Sequence, residues 1–400
     1  MVGSNVAFFY WGRRGFSRFV LEAARAADSI EGLNAYFSVS SNNEIFPEFA
    51  ELGDNVLPVA TFGSAAGALL KAPLIVEMRR RIVNWLVDRD VKCAAVLMPH
   101  VWTPLIADAI KERGIHYAVV MHDARPHPGD PTGLIFKWLL NDAKAADTVI
   151  TLSPWVREQL IEQRIAPAGR IKTVFMPDVC YPSEWSDLKT ARIRRSETSR
   201  PLRILFFGRL LPYKGISLFA DAMEKVAESG VPFEVSVCGE GDLGGQADRL
   251  AKLGATIINR WLSDDEVGQL LVNHDVAVLT HVEASQSGTV AAAMGAALPV
   301  VATPVGGLAH QVQSRGGGLV AKRVNADCIA DCIRTLALDS RVYNAILDQI
   351  ASYNLFSMAN FLQQIVNAIP PAKGPTISER SSDYSYAHEY GGMERARAYP

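Results

Sequence analysis

Hydrophobic and polar positions alternate along this chain in a repeating rhythm. A short apolar run is followed by a stretch in which apolar residues return every three to four positions. The runs Val6–Phe9, Ala35–Val39, Val56–Ala60, Cys93–Met98, Tyr117–Met121 and Thr148–Leu152 have the length and bounds of buried strands. Between them, Phe16–Ala27, Ile75–Val87, Pro104–Arg113 and Leu134–Ala145 carry one apolar face and predict amphipathic helices. Alternating strand and helix mean a parallel sheet with helices on both faces.

The rhythm fails near Asp178–Pro201, where Ser183-Glu184-Trp185-Ser186-Asp187 and Arg192-Ile193-Arg194-Arg195-Ser196 are polar and broken, and it then restarts. Strands are predicted at Arg203–Phe207, Phe233–Cys238, Ala255–Ile258, Val276–Leu279 and Pro299–Ala302. Helices are predicted at Ile216–Glu228, Gln246–Leu253, Asp264–Asn273, Thr289–Ala296 and Ala326–Leu336. The pattern predicts an α/β protein with two Rossmann-like, doubly wound domains facing across a cleft. Their bounds are 1–180 and 202–350, joined by a linker over 181–201. One more helix is expected over Phe356–Ile369, inside a closing segment 351–370. The Ser-, Gly- and Tyr-rich stretch 371–400 has the composition of a disordered tail.

Composition narrows the functional classes. The 400 residues are 49% hydrophobic and 20% charged, with a formal net charge of -2. That is the make-up of a globular enzyme without the basic excess of a nucleic-acid binder. No apolar stretch is long enough to span a bilayer, so a soluble, cytoplasmic protein is expected. Cys93 and Cys238 lie in apolar runs and read as free buried thiols; Cys328 and Cys332, four apart on a helix, are expected to be small buried residues too. Asp88-Arg89-Asp90 follows a helix and precedes a strand, so it reads as a turn rather than a metal site, and no metal is expected.

In open parallel sheets, ligands sit beyond the carboxyl ends of the strands. The residues that could do chemistry gather at those ends. The first strand runs into Gly12-Arg13-Arg14-Gly15, and the strand ending at Met121 runs into His122-Asp123. In the second half, Phe207 leads into Gly208-Arg209 and on to Lys214-Gly215; Cys238 leads into Gly239-Glu240-Gly241; Leu279 leads to Glu283-Ala284-Ser285-Gln286-Ser287-Gly288. Arg209 and Lys214, just before a helix N-terminus, make an anion site suited to a diphosphate. Ser287-Gly288-Thr289 opens another helix, where backbone N–H groups could hold a phosphate or sugar hydroxyl and where Ser287 could also be a plain N-cap. Glu283 could accept from sugar hydroxyls. The Gly12 loop, with Arg13, Arg14 and Asp123, is read as contacting the acceptor, although a plain strand–helix turn explains the loop equally; the Asp123 carboxylate could also orient His122. Arg79, Arg80 and Arg81 on an amphipathic helix would suit peripheral contact with an anionic membrane, although a solvated helix face explains them as well.

These residues resemble a known family. Gly208-Arg209 through Lys214-Gly215, Val237-Cys238-Gly239-Glu240-Gly241, and Ala293-Met294 through Pro299 to Leu308 look like the retaining glycosyltransferases of family four, whose two-domain architecture is called GT-B. The resemblance covers nearly all of the second half, and in the first half only the Gly12 loop and His122-Asp123. It implies that Arg209 and Lys214 hold the donor diphosphate without a metal or other cofactor, and that His122 lies near the transferred sugar. It also implies that the Ser287-Gly288-Thr289 backbone, with Gly208 and Gly239, binds the donor, and that Asn259-Arg260-Trp261-Leu262 lines the base pocket. One departure stands out. The family usually carries two glutamates separated by seven residues; here they fall on Ala284 and Ala292, with Glu283 one position early. The Gln286-Ser287-Gly288 run resembles a variant subgroup often linked to bacterial surface polysaccharides.

The expected activity is metal-independent transfer of a sugar, with retention, from a nucleotide-diphosphate donor to a glycan or polyprenyl-linked acceptor. The expected place is the cytoplasm, at the inner face of the inner membrane. A nucleotide-sugar epimerase or hydrolase, or a non-catalytic nucleotide-sugar-binding protein, are the alternatives.

Overall fold

The computed structural model describes residues 4–62, 75–128, 133–181, 200–352 and 355–370. Most of the expected linker, and the expected tail 371–400, lie outside the described residues.

The first sheet has seven parallel strands in the order β3-β2-β1-β4-β5-β6-β7. They are β1 (Ser4–Tyr10), β2 (Leu33–Ser40), β3 (Val56–Val59), β4 (Cys93–Val96), β5 (His116–Met121), β6 (Thr148–Thr151) and β7 (Ile171–Thr173). The second has six in the order β10-β9-β8-β11-β12-β13: β8 (Leu202–Phe207), β9 (Phe233–Cys238), β10 (Thr256–Ile258), β11 (Val276–Leu279), β12 (Val300–Ala302) and β13 (Gly318–Val320). Each order reverses once, between β1 and β4 and between β8 and β11. Those reversals open crevices at the carboxyl edges, where doubly wound sheets bind ligands. Two Rossmann-like sheets are therefore present, and both belong to one compact unit, Met1–Ile369.

Burial follows the expected periodicity. Phe8, Val39, Ala95, Val120 and Ile150 pack on one face of the first sheet, and Phe9, Val96, Val119 and Val149 on the other. The helix Met358–Ala368 joins the first of these faces through Phe361, Leu362 and Ile365, with Phe361 edge-on to Phe19 at 5.4 Å. The last helix among the described residues thus packs on the first sheet. Leu205, Val237, Val278 and Val301 lead the core of the second sheet.

Several elements differ from expectation. The helix expected over Pro104–Arg113 is a 3-10 turn, Thr103–Leu105, and a short helix, Ala107–Lys111. Pro104 occupies the start of the turn, and Thr103 side-chain bonds to His100 hold the chain out of register with a continuous helix. Strands β7 and β13, three residues each at sheet edges, are additions to the expected set. Cys93 and Cys238 are buried, but Cys328 and Cys332 are only half-buried. Asp90 sits in an exposed turn at φ 49°, as expected for the Asp88-Arg89-Asp90 run. Among the described residues there is no cluster of three metal-ligating side chains, and no helix is long and apolar enough to cross a membrane.

Asp275, at the entrance to β11, fastens the second domain. Its buried carboxylate accepts from Arg200 at 2.7 Å and from the Arg203 backbone N–H at 2.9 Å. Burial pushes its pKa up, but the two guanidiniums and the N–H outweigh that and hold it at about 2. The folded value lies below the unfolded one, near ~3.9. The stabilisation is therefore complete above about pH 4 and is lost as pH falls towards 2. Asp275→Asn should flatten this acid limb, read as denaturation midpoints between pH 6 and pH 2.5.

Candidate active site

Lys214 is the centre of the site. It closes the 3-10 turn Pro212–Lys214 and is only 8% exposed. The next residue, Gly215, adopts a left-handed conformation at φ 71°, and a Cβ there would lie 2.0 Å from the Thr280 carbonyl oxygen. Only glycine lets the chain press this closely on the end of β11. Thr280 completes the seam by donating to the Gly215 carbonyl at 2.8 Å. A methyl group on Gly208 would come within 3.2 Å of the Thr289 hydroxyl and 3.8 Å of the Lys214 amine, so these three positions converge. Gly239, at φ 142°, backs onto the same turn; a Cβ there would sit 1.9 Å from the Gly208 carbonyl oxygen.

Burial, reinforced by the charge of Arg209, lowers the Lys214 pKa to about 8. A buried cation next to a second cation is unfavourable without an anion. Arg209 itself is exposed at the rim. Beneath them, His281 is buried, and desolvation plus the charges of Lys214 and His127 push its pKa well below the ordinary value.

The helix Gly288–Gly295 opens beside this turn. Ser287 has the extended backbone of an N-cap, yet its side chain makes no capping bond, contrary to the plain N-cap reading. Gln311 fixes the peptide instead, accepting from the Ser287 N–H at 2.8 Å and donating to its carbonyl at 3.0 Å. The Ser287 hydroxyl, the Gln286 side-chain oxygen and Nδ1 of His281 are buried, and among the described residues each lacks a hydrogen-bond partner. Such atoms are costly unless something bonds them. Gly288 leaves the helix start open: a methyl group there would meet no atom within 4 Å.

The first domain closes over this edge. The Gln286 amide donates to the His122 carbonyl at 2.7 Å, and Ser153 donates to the Ser285 carbonyl at 3.0 Å. His122 is buried, and its Nε2 donates to the Leu97 carbonyl at 2.8 Å. Desolvation lowers its pKa, so the imidazole is neutral and presents Nδ1 as an acceptor. The expectation that Asp123 orients His122 is thus corrected: a backbone carbonyl does so. Asp123 instead takes Nε2 of His127 at 3.0 Å.

His127 escaped the sequence reading. Its ring lies 4.5 Å from Tyr213 at an interplanar angle of 18°, and its Nδ1 is 3.7 Å from Oε1 of Glu283 on the opposite domain. Its sequence signal is weak: a histidine four residues after Asp123, flanked by Pro126 and Pro128.

The Gly12 loop also reaches across. Arg14, at φ 60°, lies 3.2 Å from Glu240 and 5.1 Å over the Trp261 ring, while Arg13 pairs with Glu44 of its own domain at 3.3 Å. Trp261 is exposed by 39%, and the exposed Arg260 bonds Glu266 at 3.0 Å. Ala292 is buried in the helix Gly288–Gly295, and Ala284 is buried in the loop before it. No carboxylate stands at either position; the acidic groups that meet the first domain here are Glu283, 3.7 Å from His127, and Glu240, 3.2 Å from Arg14. A cavity of about 230 Å³ also lies between the domains, lined by Phe175, Gln311, Arg315 and Phe356, and neither Lys214 nor His127 touches it.

Residues 201–339 match the family described as Glycosyl transferases group 1. The second domain is a group 1 glycosyl transferase domain. Two curated proteins are similar to the chain: the uncharacterized glycosyltransferase MJ1607 of Methanocaldococcus jannaschii, 25% identical over 231 residues, and the sulfoquinovosyl transferase SQD2 of Arabidopsis thaliana, 26% identical over 212. The matches cover 55% and 50% of this chain, but only 58% and 41% of those proteins. Among solved structures, Anabaena HepE in complex with UDP and glucose superposes with a TM-score of 0.64 at 17% identity, covering 90% of this chain and 98% of that one. The UDP-GlcNAc 2-epimerase of Neisseria meningitidis, bound to UDP-GlcNAc, superposes with a TM-score of 0.55 at 9% identity, covering 92% and 99%. At such identities the likeness is one of fold. It extends the glycosyl transferase domain and its partner sheet to the full two-domain GT-B architecture.

Proposed function

We propose that this protein transfers a sugar from a nucleotide-diphosphate donor to a glycan or lipid-linked acceptor, with retention and without a metal. The observation that carries the reading is the buried Lys214 amine beside Arg209, at the open start of the helix Gly288–Gly295 and under the residues of the other domain. As the sugar–oxygen bond breaks, charge builds on the departing β-phosphate. Two fixed cations and the helix N–H groups would stabilise that charge in a site screened from water. They supply the role that a divalent metal plays in other sugar transferases, so EDTA should leave turnover unchanged. The sugar becomes oxocarbenium-like, and the departing phosphate takes the acceptor proton. Neutral His122 positions the sugar and is not a cation for the phosphate. The curated relatives with transferase names, and a fold shared with a protein seen with UDP and glucose, support the donor class.

The Arg79–Arg81 helix, with Arg80 and Arg81 exposed and Val76 73% exposed, supports peripheral contact with anionic lipid, and with it a lipid-linked acceptor in surface polysaccharide synthesis. The fold shared with an epimerase keeps that activity as the competing reading. The test is a thermal-shift panel of UDP-, dTDP- and GDP-linked hexoses, followed by product mass analysis with and without candidate acceptors. A glycosylated acceptor supports transfer. An isomerised or freed sugar without any acceptor rejects it in favour of the epimerase or hydrolase.

A further inference from the structure

Resting on the reading that this protein glycosylates an acceptor, we infer that His100 is the hydrogen-bond donor of an acceptor subsite on the first domain, and that the acceptor ends in a neutral sugar residue rather than a bare lipid phosphate. The first sheet reverses its strand order between β1 and β4, and His100 lies just beyond the carboxyl end of β4. Three residues earlier, the Leu97 carbonyl holds His122, whose own carbonyl takes the Gln286 amide from the other domain. That chain of bonds puts the His100 loop on the cleft edge of the sheet. Aromatic side chains ring the imidazole: Trp11 at 5.9 Å, Phe62 at 5.2 Å and Trp102 at 5.9 Å between ring centroids. Trp11 and Trp102 are buried and form the walls, while His100 and Phe62 are half-buried and keep accessible surface.

The hydrogen-bonding capacity of the imidazole is set from inside. The Trp102 backbone N–H donates to Nδ1 at 3.3 Å, so the neutral ring carries its proton on Nε2. Burial lowers the His100 pKa to about 4, so the ring charges only as pH falls through that value. Among the described residues no acceptor takes the Nε2 proton. The loop also holds the ring in place. Thr103 accepts the His100 N–H at 2.9 Å and bonds the buried carboxyl of Asp142, to which the Tyr117 hydroxyl donates at 2.8 Å. A half-open aromatic box with one fixed, neutral donor suits a pyranose, which sets C–H faces against rings and offers hydroxyl oxygens to an N–H. It does not suit a phosphate, which is bound by fixed cations. The arginines of the adjoining Gly12 loop are engaged with carboxylates, Arg13 with Glu44 at 3.3 Å and Arg14 with Glu240 at 3.2 Å.

The experiment uses the full chain with the donor selected by the thermal-shift panel. The acceptors are octyl β-glucoside, octyl β-galactoside, octyl α-mannoside, octyl N-acetyl-β-glucosaminide and undecaprenyl phosphate. Transfer to at least one glycoside is expected, and none to undecaprenyl phosphate. His100→Asn keeps an acceptor for the Trp102 N–H but has no donor at the Nε2 position. It should raise the KM for that glycoside about tenfold, with the donor KM within about threefold of wild type and the melting temperature unchanged. His100→Gln reaches the Nε2 position with an N–H and should keep the acceptor KM within about threefold. A His100→Gln impaired as much as His100→Asn, or more, would overturn the subsite and leave His100 a structural role through Nδ1. An acceptor KM unchanged in both variants would overturn it as well. Transfer to undecaprenyl phosphate in preference to every glycoside would overturn the acceptor class while the proposed function stands. No transfer in any arm, with the donor isomerised, hydrolysed or left intact, would overturn the proposed function and the subsite together.

Discussion

Arg209→Ala and Lys214→Ala should each lower turnover by ~10²-fold or more, with a smaller effect on donor affinity. That is the scale for removing one preorganised stabiliser of charge that develops in the transition state. Lys214 is the more demanding of the two. Its amine is buried, sits next to another cation, and is already held down to about 8 by those two circumstances. Binding of the proposed diphosphate would relieve that electrostatic cost. The sign of the pH dependence follows. The amine is charged below pH 8 and loses its proton above it, so kcat/KM, which reports the free enzyme, should fall as pH rises through about 8. Arg209→Ala removes the like charge and should move this limb to higher pH, while Lys214→Ala should abolish it. Near-normal turnover in both alanine variants would remove the basis of the proposed mechanism.

Asp178→Ala should cost about 3–5 kcal/mol of stability, the usual result of stripping one partner from a buried ion pair. Arg315 is 3% exposed and joins three parts of the chain. Its Nε donates to Asp178 at 3.0 Å, one terminal nitrogen donates to the Gln311 carbonyl at 3.2 Å, and the other donates to the Met176 carbonyl. The guanidinium also lies 3.9 Å over the Phe356 ring, just before the helix Met358–Ala368. Removing the carboxylate leaves a buried guanidinium without its counter-ion. Replacing both partners, as in Asp178→Leu with Arg315→Met, should be milder than the single change, because no buried charge remains. Denaturant midpoints of the single and double variants decide this, and a single variant as stable as wild type would contradict it.

The architecture was readable from the chain because strands and helices announce themselves locally. Val276–Leu279 is apolar throughout, Phe233–Cys238 alternates Phe233, Val235 and Val237 with Glu234 and Ser236, and the structure gives both runs the same bounds. The helices Ile216–Glu228 and Asp264–Asn273 also match, the second closed by a capping box from Ser263 and Glu266 that is visible in the sequence. The elements that were missed have weak signals of their own. Strand β7 has one buried residue, and the helix Pro154–Glu162 begins with Pro154-Trp155 and carries only a faint apolar face.

The cationic turn was readable for the same reason. Gly208, Arg209, Lys214 and Gly215 are neighbours in the chain, so their meeting needs no knowledge of the rest of the fold. The partners of those residues were not readable. His127 against Glu283 and Tyr213, Arg14 over Trp261, and the Gln286 amide on the His122 carbonyl are pairs drawn from opposite sheets. Propensity and periodicity act over a few residues and leave the relative placement of two sheets open. That placement depends on packing summed over the whole interface, including the Arg315 junction, and it alone settles which side chains face each other across the gap.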